Sequence, residues 1–359
     1  VSPSVGVVIP TRGHRPDRLR AAIRAALGQD HPGPLEVVVV VDGGDPAAVA
    51  DRTADLLAAR NPATLVGDTR PPAGAVRCPA ASEGDAWRPA VSGESVRRPA
   101  PTGGDARDPA VSAEEAPRRV RVTANRLSPG LPGARNTGIA ALGTDLVAFC
   151  DDDDEWAPGK VAAQVGALEA WPGAEFSSCA IEVEYGSRRV TRLAGTAAVT
   201  RAHLLRSRMV MVHSSTFLFR RGAFWADESA PGGQNEDWDL ALRAAARHPI
   251  AHVDRPLVRV RWGGSAYATR WADRIAGLEW MLARHPDLVV DPRGAARVYG
   301  QLAFHHAALG RRREAGRWAR RAFTAHRGEP RVPLALAVAA GLVSAASVLG
   351  ALHHLGRGI

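Results

Sequence analysis

The sequence predicts an α/β fold, with parallel strands alternating with covering helices. Two observations predict it. Short apolar runs alternate with stretches of helical periodicity through the first sixty residues, and each run ends in polar residues. One run, "LEVVVVV", is too apolar and β-branched for a strand with a wet face, so it belongs inside a sheet covered on both sides.

The elements follow in order. "VGVVIP" (5–10) is a buried strand. "RPDRLRAAIRAALGQ" (15–29) is a helix. Pro16 and Asp17 suit its first turn, Leu19, Ala22, Ile23, Ala26 and Leu27 make one face, and Gly28 suits the end. "LEVVVVV" (35–41) is the next strand and "PAAVADRTADLLAAR" (46–60) the next helix. Residues 61–119 break the pattern. Pro79, Pro89, Pro99 and Pro109 recur ten apart, each followed by Ala, with small-polar and acidic clusters between them. Such units cannot bury a core, so the stretch reads as a duplicated, flexible insertion in a surface loop. "VRVTAN" (120–125) resumes as a strand, "LPGARNTGIAALG" (131–143) as a turn opening a helix, "DLVAFC" (145–150) as a strand and "PGKVAAQVGALEAW" (158–171) as a helix. Two strand-like segments, "EFSSCAIEVEYG" and "SSTFLFR", precede the helix "NEDWDLALRAAARH" (235–248) and a strand pair around "IAHVDRPLVRVRW" (250–262). The spacing of Tyr299, Leu302, Leu309, Gly310, Ala315, Trp318 and Ala319 resembles one tetratricopeptide-type helix pair, a C-terminal helical appendage over 263–330.

Composition narrows the function. The net charge is +9, nearly all of it arginine, and Lys160 is the only lysine. Arginine favours phosphate and carboxylate partners. Nucleic acid is disfavoured, because no basic strip interleaves with aromatics and no zinc-finger spacing is present. Three cysteines without CxxC spacing predict neither a disulfide framework nor an oxidising compartment. No basic segment followed by a long apolar region opens the chain, so no signal peptide is expected. The segment 331–359 contains an uncharged stretch, Val332 to Leu352, long enough to span a bilayer. Two readings stay open for it: a membrane-associated segment, or a helical pair buried on the protein. Eight arginines between Arg311 and Arg331 would keep the main body on the cytoplasmic side.

In an open α/β sheet, ligands bind beyond the carboxyl ends of the strands. Thr11 and Arg12 follow the first strand, Asp42 the second, and Asp151 to Asp154 follow "LVAFC". Gathered carboxylates repel unless a cation neutralises them, and Mg²⁺ or Mn²⁺ is the natural occupant of an all-oxygen site. A solvated acidic turn is the competing reading, weakened by the polar ends of the other strands. A dinucleotide fingerprint is absent, since Gly130, Gly133 and Gly138 do not spell GxGxxG, and a P-loop is absent too.

The motifs "VVIPTRGHRPDRL", "VVVVVDGGD", "PGARNTGIA", "FCDDDDEWAPGK" and "NEDWDLALRAA" stand in the order of family 2 glycosyltransferases of the GT-A fold. The resemblance covers residues 5–262 apart from the insertion. It implies a Rossmann-like mixed sheet flanked by helices, with 1–262 as the glycosyltransferase domain. Pro10 and Thr11 match the edge that lines the nucleobase, Arg15 the arginine before the helix, and Asp42 the acid on base or ribose. Arg135 matches a basic residue near the nucleotide. Asp151 and Asp153 match the DxD acids that hold the metal, Asp151 also touching the nucleotide, with Asp152 at the variable position and Asp154 as a helper. Asp237 matches the catalytic base and Glu236 precedes it; Asn235 is the expected cap of that helix. His213 reads as a structural residue at a strand end. "YATRW" (267–271) resembles in part the QxxRW motif of processive synthases but lacks the Gln, so the enzyme is expected to be non-processive. Trp262, Arg270 and Trp271 are candidates for the acceptor border.

The resemblance thus implies a metal-dependent, inverting, hexosyltransferase-like enzyme. It would use a UDP- or GDP-sugar and Mn²⁺ or Mg²⁺, in cell-envelope or other glycan synthesis at the cytoplasmic face of the membrane. Two other readings compete. A sugar nucleotidyltransferase would release pyrophosphate from a triphosphate. A non-catalytic scaffold on the same fold would have lost the acids.

Overall fold

The computed structural model describes residues 2–58, 116–262 and 270–354. Most of the predicted insertion and the first half of "YATRW" lie outside these residues. The insertion's last residues are already sheet, because β3 begins at Arg118.

The first strand, β1 (Val5–Thr11), is buried at every residue and sits mid-sheet. Helix α1 (Pro16–Leu27) follows, with Pro16 in its first turn, Asp17 beside the positive end of its dipole and Gly28 closing it. Strand β2 (Leu35–Val41) runs parallel to β1 in unbroken register, Val5 opposite Leu35 through Thr11 opposite Val41. The predicted single helix over 46–60 is instead two short ones, α2 (Pro46–Arg52) and α3 (Ala54–Ala58). Thr53 interrupts them and turns its hydroxyl back to the Val49 carbonyl at 2.9 Å. Strand β3 (Arg118–Ala124) pairs parallel with β2.

Helix α4 (Leu131–Ala141) lies on β1, and β4 (Leu146–Phe149) pairs parallel with β1 on the side away from β2. Strand order therefore reverses at β1, and the crevice past its carboxyl end is a topological switch point. Close packing of α4 depends on Gly138: a Cβ there would lie 2.3 Å from Val8 Cγ1.

Among the described residues the sheet continues in mixed sense. Its further members are β5 (Glu155–Trp156), β6 (Phe176–Tyr185), β7 (Arg188–Arg192), β8 (Ala198–Val199), β9 (Leu218–Arg220) and β10 (Ile250–Arg261). The central order is β3-β2-β1-β4-β9-β6-β10-β5, and β7 and β8 pair at its side. β9 is antiparallel to β4 and β6, whereas β10 is parallel to β6. The strand pair expected over 250–262 is one strand. Its register shifts around Pro256, which has no N–H to offer the ladder, so the sequence reads as broken where the strand only bulges. Helices α5 (Lys160–Ala170), α6 (Arg201–Arg206) and α7 (Glu236–Arg247) cover this half. Lys160 is fully buried, its Nζ 3.8 Å from the centroid of the Trp156 ring and without a hydrogen-bond partner.

Helices α8 (Trp271–Arg284), α9 (Pro292–Ala308) and α10 (Arg312–Ala325) follow, the last two forming the predicted antiparallel pair around Gly310. The uncharged tail is two short helices, α11 (Arg331–Ala339) and α12 (Ala345–His354). Gly341, at φ +80°, turns the chain between them, and the Ser344 hydroxyl accepts from the Ser347 N–H at 3.0 Å to start the second. No helix among the described residues is long and apolar enough to cross a membrane. The tail forms a helical pair that buries Val332, Ala335, Val348 and Leu349 and leaves Leu336, Leu342 and Val343 exposed.

Candidate functional site

One cavity of about 1600 Å³ opens past the carboxyl ends of β1, β2 and β4. Pro10, Thr11, Arg15, Asp42, Arg135, Asp151, Asp153, Glu236 and Asp237 all line it. Residues more than two hundred positions apart reach it because each stands where a strand stops or a helix starts.

The strand edge is tied together by side chains. Asp42, one residue past β2, accepts from the Asn125 amide at 2.9 Å and from the Gly130 N–H at 3.0 Å. Gly130 has φ +110°, a conformation closed to most side chains. Thr11 donates to Asp152 at 2.6 Å, so the residue at the variable motif position is held by the first strand. Arg15, at the start of α1, makes an ion pair with Asp153, and Arg18 stands 3.9 Å from the same carboxylate.

Asp151 faces inward. It accepts from Arg135 at 2.8 Å and from the Ser214 hydroxyl at 2.9 Å. Asp154 is buried and accepts from the Ser215 hydroxyl at 2.6 Å. Carboxylate oxygens of Asp151 and Asp154 and a ring nitrogen of His213 lie within 4.8 Å of one another, spacing that suits one metal ion. Burial pushes Asp154 well above the usual carboxylate range, and the charges of Asp151 and Asp153 push it further. Burial likewise raises Asp152 and Asp153. A bound cation would relieve this crowding of negative charge.

The opposite wall is the start of α7. Arg135 is 1% exposed and ion-pairs with Glu236 as well as Asp151, bracing α7 against the edge of β4. Burial pushes the Glu236 carboxyl up to about 7, with Arg135 opposing and the Asp237 charge adding to the push. Asp237 goes the other way. Burial alone would raise it, but Arg208, His213 and Arg135 together hold it below the usual range, so it stays ionised. Arg208 reaches it through one nitrogen, 2.7 and 2.8 Å from the two oxygens. Asn235 precedes α7 in a left-handed conformation, φ +62°, and makes no capping hydrogen bond, contrary to the role expected of it. Trp238 and Leu242 pack inward.

Sequence reasoning missed several contributors. His213, read as structural, faces the acids, and Ser214, Ser215 and Arg208 arrive with it from the irregular segment between α6 and β9. The hydroxyl pair in "HSST" was the available signal. Trp262 lines the cavity, whereas Trp271 packs on Phe304 with ring centroids 5.9 Å apart.

Residues 105–227 match the family model described as Glycosyl transferase family 2. No curated protein matches the chain. Among solved structures, S. aureus TarS 1-349 in complex with UDP-GlcNAc is similar at 13% identity with a TM-score of 0.51, over 99% of this chain and 92% of that one. A longer S. aureus TarS chain is similar at 11% identity and TM-score 0.47, over 94% of this chain; this chain spans only 55% of its length. Mannosyltransferase PcManGT from Pyrobaculum calidifontis, in complex with GDP-Man and Mn²⁺, aligns at 17% identity and TM-score 0.44, over 99% of this chain and 81% of that one.

Proposed function

We propose that this chain, a transferase of glycosyl transferase family 2 over residues 105–227 with a sheet of the GT-A fold, moves a sugar from a nucleotide-sugar donor to an acceptor hydroxyl, inverting the anomeric carbon. One observation carries the reading: the Asp237 carboxylate, held by Arg208, faces the strand-edge acids within a single cavity. A general base has to stand across from the group it helps to displace.

The roles divide by wall. Pro10, Thr11, Arg15 and Asp42 border the nucleoside, and Arg135 and Asp151 the nucleotide's phosphate end. Asp151 would hold Mn²⁺ or Mg²⁺, either with Asp153, as the resemblance implies, or with Asp154 and His213, whose atoms cluster with its own. Such a cation offsets charge on the diphosphate when bound. The acceptor oxygen attacks the anomeric carbon, Asp237 takes its proton, and the bond to the diphosphate breaks with its electron pair leaving on the diphosphate. Arg208 has to loosen from Asp237 for this transfer, and Glu236, braced by Arg135, keeps the start of α7 in place.

The UDP-GlcNAc bound by TarS 1-349 supports a UDP-sugar as the first donor to try. We read 1–262 as the catalytic domain and the following helices as its appendage. Leu336 on α11 and Leu342 and Val343 in the turn before α12 are exposed, and the arginine-rich α10 packs on α11. That arrangement supports contact with an anionic membrane face, where glycan acceptors for a cell envelope are found. Asp237→Asn tests the central claim. Transfer should fall by at least about 10²-fold while the nucleotide still binds; transfer at the wild-type rate would remove Asp237 from the role.

A further inference from the structure

We propose that the cavity wall formed by α8 and α9 is an anion subsite that binds a phosphate group of the acceptor. The proposal rests on the transferase reading above and names the acceptor's chemistry, which that reading leaves open.

The wall is built of four arginines and a buried histidine. Arg208 follows α6, Arg274 comes from α8, Arg297 and His305 from α9, and Arg331 opens α11; all five line the cavity. Arg297 lays its guanidinium over the Trp238 ring at 5.1 Å, yet its Nε and Nη2 are buried without a hydrogen-bond partner. His305 is 2% exposed, and neither ring nitrogen has a partner. Burial pushes Arg297 down to about 9, and Arg331 and Arg208 add to the push. Burial, with Arg208 adding, brings Arg274 down to about 10. The neighbouring acids are already engaged: Asp237 holds Arg208, and Glu329 holds Arg331 at 2.7 Å.

A buried charge of this kind is costly, because Arg297 loses water and gains no counterion while Arg208 and Arg331 add like charge beside it. Purely structural arginines would carry carboxylates with them, as Arg135 does. An external anion supplies the missing charge. Guanidinium groups brought in by separate helices present more donors than a planar carboxylate accepts, which favours the tetrahedral oxygens of a phosphate.

Position assigns this anion to the acceptor. The donor side of the cavity is the strand edge, with Thr11, Asp42 and the acid run. The arginines come from α8, α9 and α11, none of which contributes to the strand edge, and Arg208 joins them to Asp237, beside which the attacking hydroxyl has to lie. Arg208 touches both regions, so a phosphate docking there competes with Asp237 for its guanidinium and frees the base.

The test is a thermal-shift titration with inorganic phosphate against chloride at matched ionic strength, with UDP binding measured in parallel. Wild-type protein should be stabilised saturably by phosphate. Arg297→Met keeps the apolar stem over Trp238. It should fold with an equal or higher Tm and bind phosphate about 10-fold to 100-fold more weakly. UDP affinity should stay within about twofold, since the two sites share no partner of Arg297. Arg274→Met provides the same comparison if Arg297→Met does not fold. A second arm offers glycerol phosphate and phosphatidic-acid vesicles. Competition by the soluble ester supports a soluble phosphorylated acceptor, and arginine-dependent vesicle binding supports a lipid-linked one. An unchanged phosphate response in both variants, or a parallel loss of UDP affinity, overturns the proposal. Phosphate binding without sugar transfer from any donor would instead sink the transferase reading and leave the subsite standing.

Discussion

Four consecutive aspartates have four different environments. Asp151 is shared between Arg135 and Ser214, Asp152 is held by Thr11, Asp153 by Arg15, and Asp154 is buried against Ser215. The run was legible in the sequence as a site because it follows an apolar strand. Its division of labour was not, since Thr11 and Arg15 come from 141 and 138 positions away and Ser214 and Ser215 from a segment with no periodicity. Asp152, at the variable motif position, is tied to the first strand, and His213 stands among the acids. On the proposed reading, a contrast between two variants decides which acid would join Asp151 at a bound metal ion. Asp154→Asn should weaken Mn²⁺ binding in the presence of UDP by at least about 10-fold, the range seen when a metal's supporting groups are lost. Calorimetry on Asp153→Asn should show a smaller loss; the reverse order would return the metal to the DxD pair.

Elements were legible wherever periodicity or β-branching was sustained. β1, α1, β2, α4 and α7 fall within a few residues of their expected bounds. Errors gathered where one residue interrupts an otherwise continuous pattern: Thr53 splitting a helix and Pro256 bulging a strand. The two-residue strands β5 and β8 carry too few residues for any alternation to show. One contact between elements has a measurable cost. Gly138→Ala gains helix propensity worth about 1 kcal/mol, but its methyl collides with Val8, which is fully buried in the middle of the sheet. Overpacking should win, for a net loss of about 1–2 kcal/mol in urea denaturation. An unchanged midpoint would mean that α4 can ride outward on β1.

For the molecule as a whole, the parallel half of the sheet could be read ahead of the structure, but the mixed half could not. Strand sense across β9, β6 and β10 depends on chain crossings rather than on local pattern. Acid stability is also a property of the whole fold. His252 is buried against Ser178 at 2.8 Å, and burial pushes it down to about 4, with Asp254 opposing. The unfolded chain therefore binds more protons between about pH 6.5 and 4, so the stability from neutral His252 is complete above 6.5 and drains away as pH falls to 4. Glu236, raised to about 7, works in the opposite direction over much of this window. The clean measurement is therefore the difference between wild type and His252→Asn. Any destabilisation by the variant at pH 7 should shrink by about 2–3 kcal/mol at pH 4, where the native histidine has become a burden. Lys160 has a different consequence. It is the only lysine in the sequence, and the folded chain seals it under Trp156. Acetylation, ubiquitin attachment and amine-directed coupling therefore find no side-chain amine on the native surface. A covalent mark at Lys160 records that the sheet has opened.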